Sequence, residues 1–232
     1  MIRTLALAST ALILLAACNP QQANTEKADT GAATAPAAPG AAPGAAMTQA
    51  RLGEIAPDFS LVDADGTERS LAAFRGRTVV LEWTNAGCPY VQKHYTGAMQ
   101  ALQKAATDDG VVWLTIISSA PGTQGFVEGA GAAAWKTTHR ANFTHLLLDP
   151  TGRVGKLYGA KTTPDMRVID GQGRLLYEGG IDDRPTNKVE DLEGANNYVQ
   201  AALGDIKAGR TVQNGFAQPY GCSIKYPETI EG

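Results

Sequence analysis

Apolar positions between residues 56 and 83 fall into short runs separated by polar turns. Phe59–Val62 and Thr67–Leu71 flank the turn Asp63-Ala64-Asp65-Gly66, which predicts a β-hairpin. Arg75-Gly76-Arg77 leads into Thr78–Trp83, a β-branched run suited to a central buried strand. After Cys88-Pro89 the period changes. Val91, Tyr95, Met99 and Leu102 recur at three- and four-residue steps, predicting one amphipathic helix with proline in its first turn, ending near Asp108-Asp109-Gly110. Val111–Ser118 predicts a second central strand. The Ala/Gly-rich stretch around Trp135 predicts a helix ending near Asn142, followed by a short strand at Leu146–Asp149 and a short helix at Val154–Tyr158. Met166–Asp170 and Leu175–Tyr177 flank Gly171-Gln172-Gly173 as a second hairpin. Asn196–Ala208 predicts a final helix with Tyr198, Val199, Ala202, Leu203 and Ile206 on its apolar side. The order strand–helix–strand–helix–hairpin–helix describes one α/β domain over residues 51–210, with a tail over 211–232.

The first fifty residues show no such pattern. Residues 1–17 carry Arg3, a short apolar run and small residues before Cys18, as an export signal does. Leu15-Ala16-Ala17-Cys18 resembles the lipobox of bacterial lipoproteins. The resemblance implies lipid attachment at Cys18, membrane anchoring and a periplasmic location, with inner and outer membrane both open. Residues 18–50 read as a linker. Gly31–Ala46 is almost wholly Ala, Pro, Gly and Thr, too poor in apolar area to offset chain entropy, and Pro36, Pro39 and Pro43 interrupt any helix.

Composition narrows the function. The formal charge of −3 and the absence of a Lys/Arg run exclude a nucleic-acid binder. The 232 residues hold only three cysteines and no Cys-x-x-Cys, so neither a disulfide scaffold nor a zinc ribbon fits. Cys18 accounts for the odd one, leaving Cys88 and Cys222. Cys88 stands where a buried strand gives way to a helix, and free N–H groups with the positive end of the helix dipole favour a thiolate there.

Three features in order resemble the thioredoxin fold and its redoxin branch, the peroxiredoxin-like and TlpA-like proteins. Val79–Val91 resembles the strand–loop–helix that carries the family's Cys-x-x-Cys. Thr162-Thr163-Pro164 matches the place of its cis-proline. Ala56-Pro57-Asp58-Phe59 and the following hairpin resemble its N-terminal extension. The resemblance covers about 55–210 and implies a thioredoxin-like three-layer sandwich, a mixed sheet flanked by helices. It implies Cys88 as nucleophile and Glu82 as a buried general acid/base; a carboxylate paired with Lys or Arg at a strand end is the other reading of Glu82. It also implies that Pro89, Tyr90, Thr163 and Pro164 line the place where an extended partner chain binds.

The departures bear on function. Val91 occupies the position of the second cysteine, which is also where peroxiredoxins place their peroxide-reacting cysteine. Cys222 lies 134 positions beyond Cys88. It reads as a distant resolving partner, as half of a static disulfide worth about 5 kcal/mol in the chain-entropy model, or as an independent thiol. His94 reads as a surface or helix-packing residue rather than a metal ligand, and the copper-handling Sco pattern lacks one of its cysteines here. Trp83, Trp113 and Tyr90 read as core or pocket-lining residues, and Ile181–Arg184 as a solvated acidic turn. No cofactor and no metal are expected. The expected partners are thiols or disulfides of exported proteins. The leading function is thiol–disulfide exchange at Cys88; a peroxidase and a non-enzymatic binding or metal-handling module with a structural Cys88–Cys222 disulfide are the alternatives.

Overall fold

The computed structural model describes residues 48–228. The expected signal (1–17), nearly all of the linker (18–50) and the Cys18 lipid site lie outside the described residues. The first hairpin forms as the alternation predicts, with β1 (Ser60–Asp63) and β2 (Glu68–Ser70) pairing Val62 with Glu68 and Leu61 with Arg69. β3 (Val79–Trp83) is buried at every position because its sheet is covered on both faces. It runs parallel to β4 (Val112–Ile117), and β4 runs parallel to β5 (His145–Leu148). On its other side β3 pairs antiparallel with β7 (Asp165–Ile169), which turns back into β8 (Leu175–Gly179). With β9 (Phe216–Ala217) the strands stand in the order β2-β1-β5-β4-β3-β7-β8-β9.

The pleat sorts the core into two layers. Val79, Leu81 and Trp83 face one side, with Leu114, Ile116, Leu157 and Tyr158. Val80 faces the other, with Trp113, Met99, Tyr177 and Val199. α4 (Arg153–Leu157) contributes to the first layer; α2 (Ala98–Asp108), α3 (Gly129–Thr138) and α5 (Tyr198–Lys207) contribute to the second. Short 3-10 turns at Leu71–Phe74 and Val189–Leu192 complete the elements.

Three expectations are corrected. The single helix after Cys88 is two, α1 (Pro89–His94) and α2, because Gly97 adopts φ +145°, a conformation that ends a helix. Met99 keeps its place in the core across that break. α3 stops at Thr138 rather than near Asn142; Arg140 turns to φ +50°, and the Gln103 side chain takes up the Asn142 N–H at 2.8 Å. The described part of the expected tail is built into the domain: β9 pairs with β8, and β10 (Cys222–Ser223) pairs antiparallel with β6 (Thr162–Thr163).

Candidate active site

Cys88 is the N-cap of α1, with Pro89 at the first helical position, where a missing N–H costs nothing. Its amide donates to Asn85 O at 2.9 Å, closing the turn out of β3. The Asn85 side chain accepts from Gly87 N at 2.8 Å, so the loop Thr84–Gly87 is held by its own polar groups. Cys88 is 0% exposed, and its protonated sulfur donates to Thr163 O at 3.1 Å. The Thr163–Pro164 bond is cis, at the position the resemblance marked, and both residues are buried. Pro89 is exposed, whereas Tyr90 is half-buried with its ring 6.0 Å from that of Tyr220.

The β6–β10 pair sets Cys222 directly opposite Thr163, and this brings Cys222 to Cys88. Both are free thiols. Burial pushes the Cys88 thiol up, but hydrogen bonds from the Cys222 thiol, the Thr163 side chain and the backbone at Val91 and Cys222 outweigh it. Its titration therefore falls below the usual 9.0. Cys222 moves the opposite way, pushed up to about 11 by burial and by the proton it lends to Cys88. The opposite shifts mean that the first proton lost from the two sulfurs comes from Cys88, with Cys222 still protonated. That is the chemistry of a nucleophile beside a protonated second thiol.

Glu82 is fully buried inside β3, as the resemblance implies, and among the described residues it pairs with no lysine or arginine, which corrects the reading of an ion-paired carboxylate at a strand end. Its carboxylate accepts from Trp113 Nε1 (2.7 Å), Tyr95 Oη (2.9 Å), Thr115 Oγ1 (3.0 Å) and Gln103 Nε2 (3.0 Å). Burial pushes its carboxyl up against those four donors. Among the described residues no hydrogen bond joins it to Cys88. The structure thus brings Cys88, Cys222, Thr163 and Pro164 together and leaves Glu82 at the centre of a separate polar cluster.

Asp182 corrects a further reading, since it is 4% exposed rather than solvated; His94, at 2% exposed, takes the helix-packing alternative rather than the surface one. Asp182 accepts from Arg184 N at 2.9 Å and from the Tyr220 hydroxyl, with the fully buried Lys93 ammonium 3.9 Å away. Lys93, Asp182 and Tyr220 escaped the sequence reading. The available signal was Lys93-His94 falling on the buried side of a short helix, and it is visible only once the helix break at Gly97 is known.

Residues 52–178 match the AhpC/TSA family. An uncharacterized conserved protein from Geobacillus kaustophilus is 26% identical, with a TM-score of 0.66 over 78% of this chain and 94% of that one. A hypothetical protein from Sinorhizobium meliloti 1021 is 28% identical, with a TM-score of 0.63 over 78% and 97%. None of the curated proteins matches the chain. The domain has the expected thioredoxin-like α/β fold, a mixed central sheet with helices on both faces.

Proposed function

We propose, for a chain that belongs to the AhpC/TSA family, that it exchanges thiols and disulfides through Cys88 with Cys222 as the resolving thiol. The observation that carries this reading is that Thr163 pairs with Cys222 across β6–β10 while its carbonyl accepts from the Cys88 thiol, which sets the two cysteines beside one residue; the lowered pKa of Cys88 agrees with it. The Cys88 thiolate attacks a disulfide of its partner, forming a mixed disulfide and expelling one partner thiolate. Cys222 then gives up its proton and attacks the Cys88 sulfur. The Cys88–Cys222 bond forms as the Cys88–partner bond breaks, and the second partner thiol leaves. The partner has gained two electrons and the protein has lost two; two external thiols, or one dithiol, restore the starting form and leave as a disulfide. The same steps in reverse oxidise a dithiol.

Thr163 and Pro164, beside the sulfur, and Pro89 and Tyr90, at the start of α1, form the surroundings a partner meets. We place the reaction outside the cytoplasm on the Cys18-anchored lipoprotein. Radiolabelled fatty acid incorporated by the wild type and lost in Cys18→Ala supports that anchor, and equal labelling removes it.

Cys222→Ala treated with glutathione disulfide is expected to stop at one glutathione adduct on Cys88, while the wild type proceeds to Cys88–Cys222. Exchange at Cys88 is excluded if no adduct forms there. The family match also favours a peroxidase reading, since Cys222 is placed to condense with a sulfenic acid on Cys88 and release water. Peroxide would become water in the first step and the Cys88–Cys222 disulfide would form in the second. Rapid hydrogen peroxide consumption that requires Cys88 selects this reading; slow bulk oxidation rejects it.

A further inference from the structure

Nothing within β10 explains why Cys222 stays on Cys88. The strand is two residues long and pairs with only two residues of β6, less than an independent ribbon needs. C-terminal to it the backbone continues to bond, Ile224 N to Lys161 O at 3.0 Å and Ala120 N to Lys225 O at 2.7 Å, and side chains anchor it on either side. C-terminal to it, the Tyr226 hydroxyl donates to Ala160 O at 2.8 Å. The Tyr226 ring sits against Gly152 and Gly155, where a Cβ would come within 2.4 and 2.3 Å of its atoms. N-terminal to it stands Tyr220, two residues before the sulfur.

Tyr220 is tied to the helix that carries the other sulfur. Its hydroxyl donates to Asp182 Oδ1, and His94 Nε2 lies 3.1 Å away. A phenol has one proton. With that proton committed to Asp182, the hydroxyl accepts from a protonated Nε2 on His94. This suits an imidazole that burial and Lys93 keep neutral down to about 4 against the pull of Asp182. His94 is the last residue of α1, and Cys88 is the cap of the same helix. The Tyr220 oxygen therefore joins the end of the Cys88 helix to the strand bearing Cys222.

The rest of the ring is fixed as well. The Lys93 ammonium lies 5.6 Å from its centroid, and the Tyr90 ring packs beside it. Lys93 also donates to Arg184 O at 2.7 Å, holding the loop that presents Asp182. Gly221, at φ +133°, then carries the chain from the Tyr220 anchor into the Cys222–Thr163 pair.

We propose that Tyr220 is a positioning residue, which through Asp182 and His94 holds the Cys222 sulfur at Cys88 and so favours the resolving step. The assignment rests on the exchange reading above. The step it acts on is attack of deprotonated Cys222 on the Cys88 sulfur of a Cys88–glutathione disulfide, which forms Cys88–Cys222 and releases the glutathione thiolate. Its lever is the effective concentration of one thiol at the other.

The test equilibrates the full chain with glutathione and glutathione disulfide, then quantifies the adduct on Cys88 and the Cys88–Cys222 bond by mass spectrometry after acid quenching. Tyr220→Phe keeps the ring and removes the hydroxyl. It is expected to lower the effective concentration about tenfold, equivalent to about 30 mV for a two-electron couple, and to accumulate the adduct. Circular dichroism should remain that of the wild type. Asp182→Asn should reproduce the effect, and it carries the test if Tyr220→Phe does not fold. Tyr226→Phe, which removes the other anchoring hydroxyl, should move the same equilibrium by less than about threefold. A Tyr220→Phe protein that behaves as wild type, or a Tyr226→Phe protein that shifts as far, overturns the assignment. If the wild type forms no Cys88–Cys222 bond, the exchange reading itself falls and takes the assignment with it. If the wild type forms the bond and only the Tyr220 effect is missing, the positioning role alone is lost.

Discussion

Cys222 pairs across a two-residue strand with Thr163, the residue whose carbonyl accepts the Cys88 thiol proton and whose next peptide bond is cis. One residue thus serves both sulfurs, its backbone bound on one side by the strand that carries the second thiol. The edge that the sequence marked for an extended partner chain is occupied by a segment of the same protein. Cys88 is 0% exposed, so the proposed exchange requires this segment to shift before a disulfide can reach the sulfur.

Gly221 is the point at which that segment is most sensitive to substitution. Its φ is +133°, and a Cβ there would lie 2.0 Å from Thr163 O. Gly221→Ala is therefore expected to break the β6–β10 pair and to cost about 1–3 kcal/mol of stability. Iodoacetamide should then label Cys88 faster than in the wild type, measured by peptide mass after timed quenching. Unchanged labelling would mean that β10 does not control access.

The pH dependence of the thiols follows from their opposite shifts. Cys88 ionises below 9.0 and Cys222 at about 11, so the ultraviolet absorbance of thiolate should rise in two separated steps in the reduced protein. Cys222→Ala removes the thiol that lends Cys88 a proton, and the first step should move to higher pH. A first step that stays in place in Cys222→Ala would show that the lowering comes from Thr163 and the backbone alone.

Much of the fold could be read locally, because β3 and β4 are continuous apolar runs and the β7–β8 hairpin and α5 are long enough to show their turn and their repeat. The strand-to-helix junction at Cys88 followed as well, since local sequence defines it. What escaped depends on long-range partners. β6, β9 and β10 are two residues each and carry no repeat, so the pairing of Cys222 with Thr163 went unseen and the role of Cys222 was left open among three readings. Asp182 looked solvated because its neighbours Asp183 and Arg184 are polar; only the fold shows Lys93 and Tyr220 arriving beside it. Gly97 was in plain view, but the apolar spacing from Val91 to Leu102 continued across it and concealed the break.

The Glu82 cluster predicts a stability effect with a definite sign. Burial raises its carboxyl above the usual 4.5, so ionising it disfavours the folded state. The stability this group contributes is fully present below 4.5 and is lost as pH rises through the folded value. Glu82→Gln does not titrate, and urea unfolding should show its stability relative to wild type improving as pH rises from 4.5. Glu82→Ala should instead cost about 3 kcal/mol or more, because several buried donors lose their acceptor. A pH-independent difference between wild type and Glu82→Gln would remove the ionisation argument.

Lys93 and Asp182 offer the sharpest separation of charge from shape. The Lys93 side chain is fully buried and that of Asp182 is 2% exposed, 3.9 Å from nitrogen to oxygen. Burial lowers the Lys93 pKa, with Asp182 as the main opposing influence, so each charge depends on the other. Lys93→Met fills the same space but leaves the carboxylate with only neutral hydrogen-bond donors from Arg184 N and Tyr220. It should lose about 3 kcal/mol, in the range found when one partner of a buried pair is removed. Adding Asp182→Asn removes the stranded charge, and the double variant should recover a substantial part of that loss. The pair would then show strong coupling in a double-mutant cycle measured by denaturant unfolding. Additive losses would mean that the Lys93 ammonium acts through its other contacts, the Arg184 carbonyl and the Tyr220 ring, rather than through the Asp182 charge.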